Sequence, residues 1–383
     1  MPASRVRCRS RRRGGSCWPG WRACGRAAAS DRHPYRVWGI LARSGDRAVH
    51  HPTPLKYLYP GWYAIVMGLT GLALAWHRAV PLMGEMASAI ALIAGVGGAA
   101  VFGVLLVFTA LRGWRHPEAW AEDRRHPVRH TFIAALPIGA MLVATVAVAL
   151  FGVHPLPRAL WWAGSLGQLG ITVWVLARWW GRPAWASVTP ALFVPIVGNV
   201  LAPLAGVPLG HADWSAAQFG IGLLFWPVVL TLIVVRLAVQ GPWPERLAPT
   251  AFIVIAPPAV VGLAALQLGA PPLLAWMTWG MALFALLWAG ARAKAIAAMP
   301  FGMTHWALSF PLASLAALTL RLAQPGTTMA VLGPVLLALA SLVIVGLAFA
   351  TVRGLRDGSL LAPEPVAPLV PEQAAVQAPA ANA

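Results

Sequence analysis

Long apolar stretches dominate this chain, and ten of them follow one another between residues 59 and 352. An apolar run of about 18 or more residues is typical of a helix that spans a bilayer. Short turns join neighbouring stretches, so the sequence predicts an all-α polytopic membrane protein of five helical hairpins. The predicted helices cover residues 59–76, 87–111, 130–152, 158–180, 189–207, 214–239, 249–268, 271–291, 303–322 and 329–352.

Prolines recur in every second apolar stretch. Segments 3, 5, 7 and 9 contain Pro137, Pro195, the pair Pro257-Pro258 and Pro311, at intervals of 58, 62 and 54 residues from Pro137 through Pro257 to Pro311. Proline removes a helical hydrogen bond, which a membrane helix tolerates where a neighbouring helix or a water-filled cavity satisfies the freed carbonyl. The alternation predicts one kinked and one straight helix in each hairpin, with the kinked helices in a ring around a pore. The prolines that depart from the alternation are Pro60, Pro227 and Pro334.

The chain divides into three regions of different composition. Residues 1–56 contain 13 Lys and Arg against two acidic residues, and are expected to be a basic disordered leader or an over-extended reading frame rather than a signal peptide. A basic arm that touches anionic lipid or nucleic acid is the alternative. Residues 57–356 form the predicted membrane domain, and the Ala/Pro-rich residues 357–383 a disordered tail. All cysteines lie in the leader, at Cys8, Cys17 and Cys24.

Charge in the loops predicts the orientation of the helices. One set of loops carries 13 Arg and Lys residues, whereas the opposite set carries only Arg78, Arg158 and Arg321. Because cytoplasmic loops are enriched in positive residues, both termini are expected in the cytoplasm, with the protein in the plasma or inner membrane.

The predicted spans contain no charged residue well inside them. Ion-coupled transporters usually place a carboxylate within the membrane, so the sequence argues against an ion-coupled pump. A neutral path that is reached through an arginine-rich face suits anions better than cations. No zinc-protease motif, serine nucleophile elbow or pair of carboxylates at helical spacing is present, so an enzyme is not predicted, nor are a cofactor, a metal or a nucleic-acid partner.

Polar side chains within the spans leave alternatives open. Asn199 either donates to a permeating anion or bonds a neighbouring helix, and His305 either faces the pore or is a satisfied core group. A membrane enzyme or scaffold would need such groups to converge. They are scattered along the chain, at His126, His130, Gln168, Asn199, Gln218, Gln267 and His305.

Segment 9 contains an aromatic residue suited to closing a pore. Helical spacing places Phe310 on the face of Trp306 and Ser314, immediately before Pro311. A phenylalanine beside a kink also occurs in ordinary core packing, and spacing alone leaves both interpretations open. The candidate pore-lining residues are Pro137, Pro195, Asn199, Pro257, Thr304, His305, Trp306, Ser309, Pro311 and Ser314, with Phe310 as the candidate gate.

Four stretches, in order along the chain, resemble the tellurite-resistance/C4-dicarboxylate transporter family, which includes plant slow-type anion channels. They are PGWYAIVMGLTGLALAW (60–76), RHPV (125–128), TPALFVPIVGN (189–199) and PFGMTHWALSFPLASLAAL (300–318). The resemblance implies five hairpins around a quasi-fivefold axis, odd-numbered helices that line a central pore, and homotrimers in which each protomer has its own pore. It also implies that the phenylalanine of the Ser309-Phe310 step occludes the pore.

The sequence and the resemblance together predict passive transport of small inorganic or organic anions through a neutral pore closed by Phe310. A gradient-driven exporter of C4-dicarboxylates or sulfite is the alternative within transport. The two differ in flux, because an exporter would show saturable, pH-dependent transport of one substrate. A membrane enzyme or scaffold is the alternative from another class.

Overall fold

The computed structural model describes residues 54–181 and 185–362. These residues are almost entirely helical and include no strand. Nine of the described helices are long and apolar enough to cross a bilayer, and a tenth is shorter, which agrees with the all-α membrane fold expected from the sequence. The helices, labelled α1–α10, are Pro60–Met83, Glu85–Arg115, Arg129–Phe151, Pro155–Gly181, Pro190–Gly206, Ala212–Gln240, Glu245–Gln267, Pro272–Gly290, Met303–Leu322 and Thr328–Arg356.

Burial alternates along the chain between the first and the second helix of each hairpin. In α3, α7 and α9, 61%, 83% and 89% of the most apolar window is buried, whereas the even-numbered helices range from 22% to 33%. In α5 only Leu204 is not fully buried. Because the even-numbered helices expose large apolar side chains such as Ile93, Phe284 and Phe349, they form the outer layer of the molecule. The odd-numbered helices form the inner layer.

The five inner helices contact one another in a closed order. Helix α1 packs against α3 and α9, α3 packs against α5, α5 against α7, and α7 against α9. Each outer helix packs against the inner helix that precedes it in the chain, as α2 does against α1. These contacts agree with five hairpins. The fivefold symmetry of the arrangement stays a prediction.

The prolines of the inner helices mark a change of helix type. Every inner helix begins with a 3-10 segment and continues as an α-helix, which in α5 is interrupted by a second 3-10 segment, Gly198–Leu201. Pro137, Pro195, Pro258 and Pro311 are each the third residue of the α-helical part. Proline has no N–H and is tolerated in the first turn of an α-helix, where the amides lack intrahelical partners. The sequence interpretation of a kink within one continuous α-helix is therefore replaced by a 3-10 entry followed by an α-helix.

A buried group of charges joins the segment between α2 and α3, which contains the short helix Pro117–Arg125, to the bundle. Arg112 at the end of α2 contacts the Asp123 carboxylate at 2.7 Å, and Arg129 at the start of α3 contacts the same carboxylate at 3.1 Å. The Nε of Arg112 also donates to the carbonyl of Lys56 at 3.0 Å. Lys56 is among the last residues of the predicted leader; the leader's residues 1–53 and the tail from 363 onward lie outside the described residues.

His126 fixes the turn that leads into α3. Its Nδ1 accepts hydrogen bonds from the backbone N–H groups of Val128 and Arg129, at 3.2 and 3.1 Å. Burial, with the positive charges of Arg129 and Arg246 as smaller causes, lowers the pKa of His126 to about 4. The neutral imidazole required by these two hydrogen bonds is therefore the form present at neutral pH.

Candidate functional site

All five inner helices contribute side chains to one central cavity. The central cavity is lined by residues that include Met67 of α1, Ile138 of α3, Val197 of α5, Val260 of α7 and Phe310 of α9. Its volume is about 660 Å³, counting the space open to solvent. Within the described residues none of the lining side chains is charged. The central cavity is therefore apolar, and an ion that crosses it must shed much of its hydration shell.

Phe310 lies in the wall of this cavity and is held against α1. Its side chain is only 7% exposed. A Cβ atom added at Gly71 would lie 2.9 Å from Cδ2 of Phe310 and 3.3 Å from Cβ of Ala313. One turn earlier, a Cβ at Gly68 would collide with the side chain of Ser309. The two glycines allow α9 to approach α1 closely, and Gly71 leaves the space that the Phe310 ring occupies.

Four of the residues predicted at the site line the central cavity, namely Pro257, Trp306, Phe310 and Pro311. Trp306 is held by a hydrogen bond from its Nε1 to the Thr351 hydroxyl of α10, at 2.9 Å. The indole nitrogen is therefore occupied on the side of the outer layer, and the ring contributes apolar surface to the cavity.

The remaining candidates on α9 make local contacts. The hydroxyl of Ser309 donates to the carbonyl of Trp306 at 2.6 Å, and that of Ser314 donates to the carbonyl of Pro311 at 2.9 Å. His305 bonds through Nδ1 to the backbone of Gly302, and both His305 and Thr304 are half-buried. These candidates do not belong to the lining of the central cavity.

The candidate prolines of α3 and α5 lie against α4. Atoms of Pro137 are the nearest neighbours of Gly164 and Gly167 in α4. The carbonyl of Pro195 accepts hydrogen bonds from the Thr172 hydroxyl at 2.7 Å and the Gln168 amide at 2.9 Å. Side chains of α4 therefore satisfy the Pro195 carbonyl, which precedes the 3-10 segment Gly198–Leu201 within α5.

Asn199 is the centre of a hydrogen-bond network between three helices. Its Nδ2 donates to the Thr172 hydroxyl of α4 at 2.7 Å, and its Oδ1 accepts from Nε2 of Gln218 in α6 at 2.9 Å. Gln218 in turn accepts from the hydroxyl of Ser165 at 2.5 Å. Every polar atom of the Asn199 side chain has a partner in the protein, and Asn199 is absent from the lining of the central cavity.

Sequence reasoning missed several lining residues as well as Gly71. Phe132 of α3 and Phe193 of α5 place two further rings in the wall that contains Phe310. The signal available was position, because Phe132 and Phe193 each precede the proline of their segment by a few residues. Which face of a buried helix turns toward the axis depends on packing between helices. A helix that is apolar on all sides has no polar face in its sequence that would indicate this orientation.

The chain is similar to a protein family and to several known proteins. A family model, the SLAC1 voltage-dependent anion channel family, matches residues 57–352. A tellurite resistance protein TehA homolog of Haemophilus influenzae is 29% identical over 271 residues, which cover 69% of this chain and 80% of that protein. The S-type anion channel SLAH2 of Arabidopsis thaliana is 26% identical over 61% of this chain and 46% of its own length. An uncharacterized transporter of Methanocaldococcus jannaschii is 22% identical over 67% of this chain and 82% of its own length.

The family match covers most of the chain, with the first nine helices and all but the last four residues of α10. It agrees with the resemblance found in the four sequence stretches, the last of which contains Phe310. The chain therefore belongs to the SLAC1 family of voltage-dependent anion channels.

Proposed function

We propose that the protein conducts small anions passively through the central cavity, and that Phe310 closes this path. The observation that carries the proposal is the apolar cavity to which all five inner helices contribute, with the Phe310 ring in its wall. Family membership supports transport of anions. The uncharged lining supports passive conduction, because a coupled pump usually needs a titratable group inside the membrane.

The gate acts by controlling water in the cavity. An apolar constriction excludes water and so raises the free energy of an ion that enters it. Rotation of the Phe310 ring away from the axis would widen the path and let partly hydrated anions pass. Larger, weakly hydrated anions lose less hydration free energy on entry and are expected to cross more readily than small, strongly hydrated ones.

The membrane placement is part of the same proposal. The exposed apolar faces of the even-numbered helices support a lipid-facing outer layer, and the loop charges support termini in the cytoplasm of a plasma or inner membrane. A homotrimer with one pore in each protomer is the proposed assembly.

Ion selectivity tests the proposed function. The Phe310→Ala variant is reconstituted in a planar bilayer under a potassium chloride gradient. We expect the reversal potential to lie close to the equilibrium potential of chloride, because the arginine-rich entrance and neutral path favour anions. A reversal potential near that of potassium would contradict anion conduction. Recordings with chloride, nitrate, malate and sulfite then separate broad anion current from transport of one substrate by a dedicated dicarboxylate or sulfite exporter.

Gly71→Ala is expected to weaken the closed state. The added methyl group would lie 2.9 Å from the Phe310 ring, so the ring must leave its rotamer or α1 must move. An off-rotamer displacement costs about 0.5–1.5 kcal/mol, which corresponds to about a 2- to 10-fold rise in current. Gly97→Ala on α2 is the matched control, since its added Cβ meets no atom within 4 Å. Equal currents from the two variants would contradict the positioning of Phe310 by Gly71.

A further inference from the structure

A second cavity lies at the end of the bundle where α1 and α9 finish. Its lining includes Leu74, His77 and Arg78 of α1, Thr145 of α3 and Gln267 of α7, and α5 and α9 also contribute to it. We call it the Arg78 vestibule. Its volume is about 810 Å³, counting the space open to solvent. The same five helices therefore form both the central cavity and the Arg78 vestibule.

The Arg78 vestibule follows the gate along the inner helices. On α1, Gly71 leaves the space for the Phe310 ring, and Arg78 comes seven residues later. On α9, Ala317 lines the vestibule and comes seven residues after Phe310. Seven residues of α-helix rise about 10 Å. An anion that passes Phe310 would reach Arg78 after about two helical turns.

Arg78 brings an uncompensated positive charge to this cavity. Within the described residues no carboxylate lies within ion-pair distance of its guanidinium; the nearest acidic residue along the chain, Glu85, makes no ion pair with it. The positive charge of Arg321, at the end of α9, also acts on Arg78. Arg321 is exposed and is not part of the vestibule lining, so among the described residues Arg78 alone brings an arginine or lysine charge to that lining. The field of Arg321 adds to the attraction of an anion toward Arg78.

Neutral hydrogen-bond donors accompany the charge. The half-buried side chains of His77 and Gln267 line the same cavity and make no hydrogen bond to another described residue. The guanidinium of Arg78 offers a planar set of donors that matches two oxygens of one anion. A cation would find no acidic partner in this lining.

We infer that the Arg78 vestibule is a binding site for a small planar oxyanion, of the nitrate or monocarboxylate class, with Arg78 as its main ligand and Gln267 and His77 as additional donors. The inference deepens the proposed function, on which it rests, because it names a site on the same conduction path. Binding next to the gate raises the local concentration of the permeating anion, so conduction should saturate at a low anion concentration.

The conduction test uses the Phe310→Ala protein as the open background. Conductance is measured against sodium nitrate concentration, with and without Arg78→Gln. We expect Arg78→Gln to raise the half-saturating nitrate concentration about tenfold, the loss expected for a charge-assisted hydrogen bond. Arg78→Lys, which keeps the charge but loses the planar donors, should lie between the two. Arg158→Gln is the matched control, because Arg158 is exposed and outside the vestibule lining.

An unchanged half-saturating concentration in Arg78→Gln, or an equal change in Arg158→Gln, would overturn the inference. A binding measurement tests the inference without any measurement of current. Nitrate should raise the thermal unfolding midpoint of the purified protein with its native Phe310, and the Arg78→Gln protein should not show that shift. If the open variant passes no anion current but the shift depends on Arg78, the conduction proposal fails and the site stands. If nitrate gives no Arg78-dependent shift, the site fails whatever the current shows.

Discussion

Phe310→Ala is expected to make the protein conduct anions constitutively. The ring is 7% exposed and occupies the wall of a cavity to which all five inner helices contribute. Removal of a packed phenylalanine ring commonly costs about 3–5 kcal/mol. If the closed state loses about 3 kcal/mol relative to the open state, the open-to-closed ratio rises about 100-fold. Current through a planar bilayer at fixed voltage measures this change.

Phe284→Ala is the matched control for this experiment. Phe284 lies on the outer helix α8 and is 69% exposed in the isolated chain, so its removal should leave the current unchanged. Phe310→Leu keeps most of the apolar volume and should give an intermediate current. A Phe310→Ala protein that elutes as the native species but passes no more current than the Phe284→Ala protein would contradict the gate.

The hairpin pattern was predictable from the sequence because it depends on hydropathy alone. Apolar length located the helices, and the prolines identified which helix of most hairpins belongs to the inner layer. The change of helix type at those prolines was not predictable from the sequence. A 3-10 entry that ends three residues before each proline, as at Pro137 and Pro311, depends on hydrogen bonds that composition does not reveal.

The end of α1 shows why the Arg78 vestibule was not anticipated. Hydropathy falls at His77, so the predicted helix stops at residue 76. The helix in fact continues to Met83, because its termination is set by Gly84, whose φ is 64° and whose N–H bonds to the carbonyl of Val80 at 2.9 Å. That backbone conformation is unfavourable for residues with a side chain. The helix therefore carries Arg78 into the bundle rather than into a loop.

The candidate site was predictable only in part, because contacts between helices decide which side chains line it. The family resemblance identifies Phe310 as the gate candidate, whereas spacing alone favours core packing. A buried amide such as Asn199 needs partners, but the sequence does not show that α4, α6 and the Ile196 carbonyl of α5 supply them. The lining residues Phe132 and Phe193 differ from other apolar residues of a membrane helix only by their position shortly before a proline, so their contacts are needed to place them at the cavity.

Asp123→Asn is expected to lower the thermal stability of the protein strongly. The Asp123 side chain is fully buried, and its two oxygens contact Arg112 at 2.7 Å and Arg129 at 3.1 Å. The Arg112 side chain is only 2% exposed, so loss of the carboxylate charge leaves a buried cation without its counter-charge. Breaking a buried ion pair in this way costs about 3–5 kcal/mol. The unfolding midpoint in detergent, followed by the fluorescence of the 20 tryptophans, measures the effect.

Glu122→Gln is the control that separates burial from charge. Glu122 pairs with Arg129 at 3.1 Å but is 58% exposed, and such an exposed pair contributes about 0–1 kcal/mol. The double change Arg112→Met with Asp123→Leu should recover much of the lost stability, because it removes both buried charges together. Equal midpoints for Asp123→Asn and Glu122→Gln would contradict the structural role of the pair. Because the pair lies outside the central cavity, Asp123→Asn should not change the ion selectivity measured in the Phe310→Ala background. The buried ion pair would then be required for stability and not for conduction.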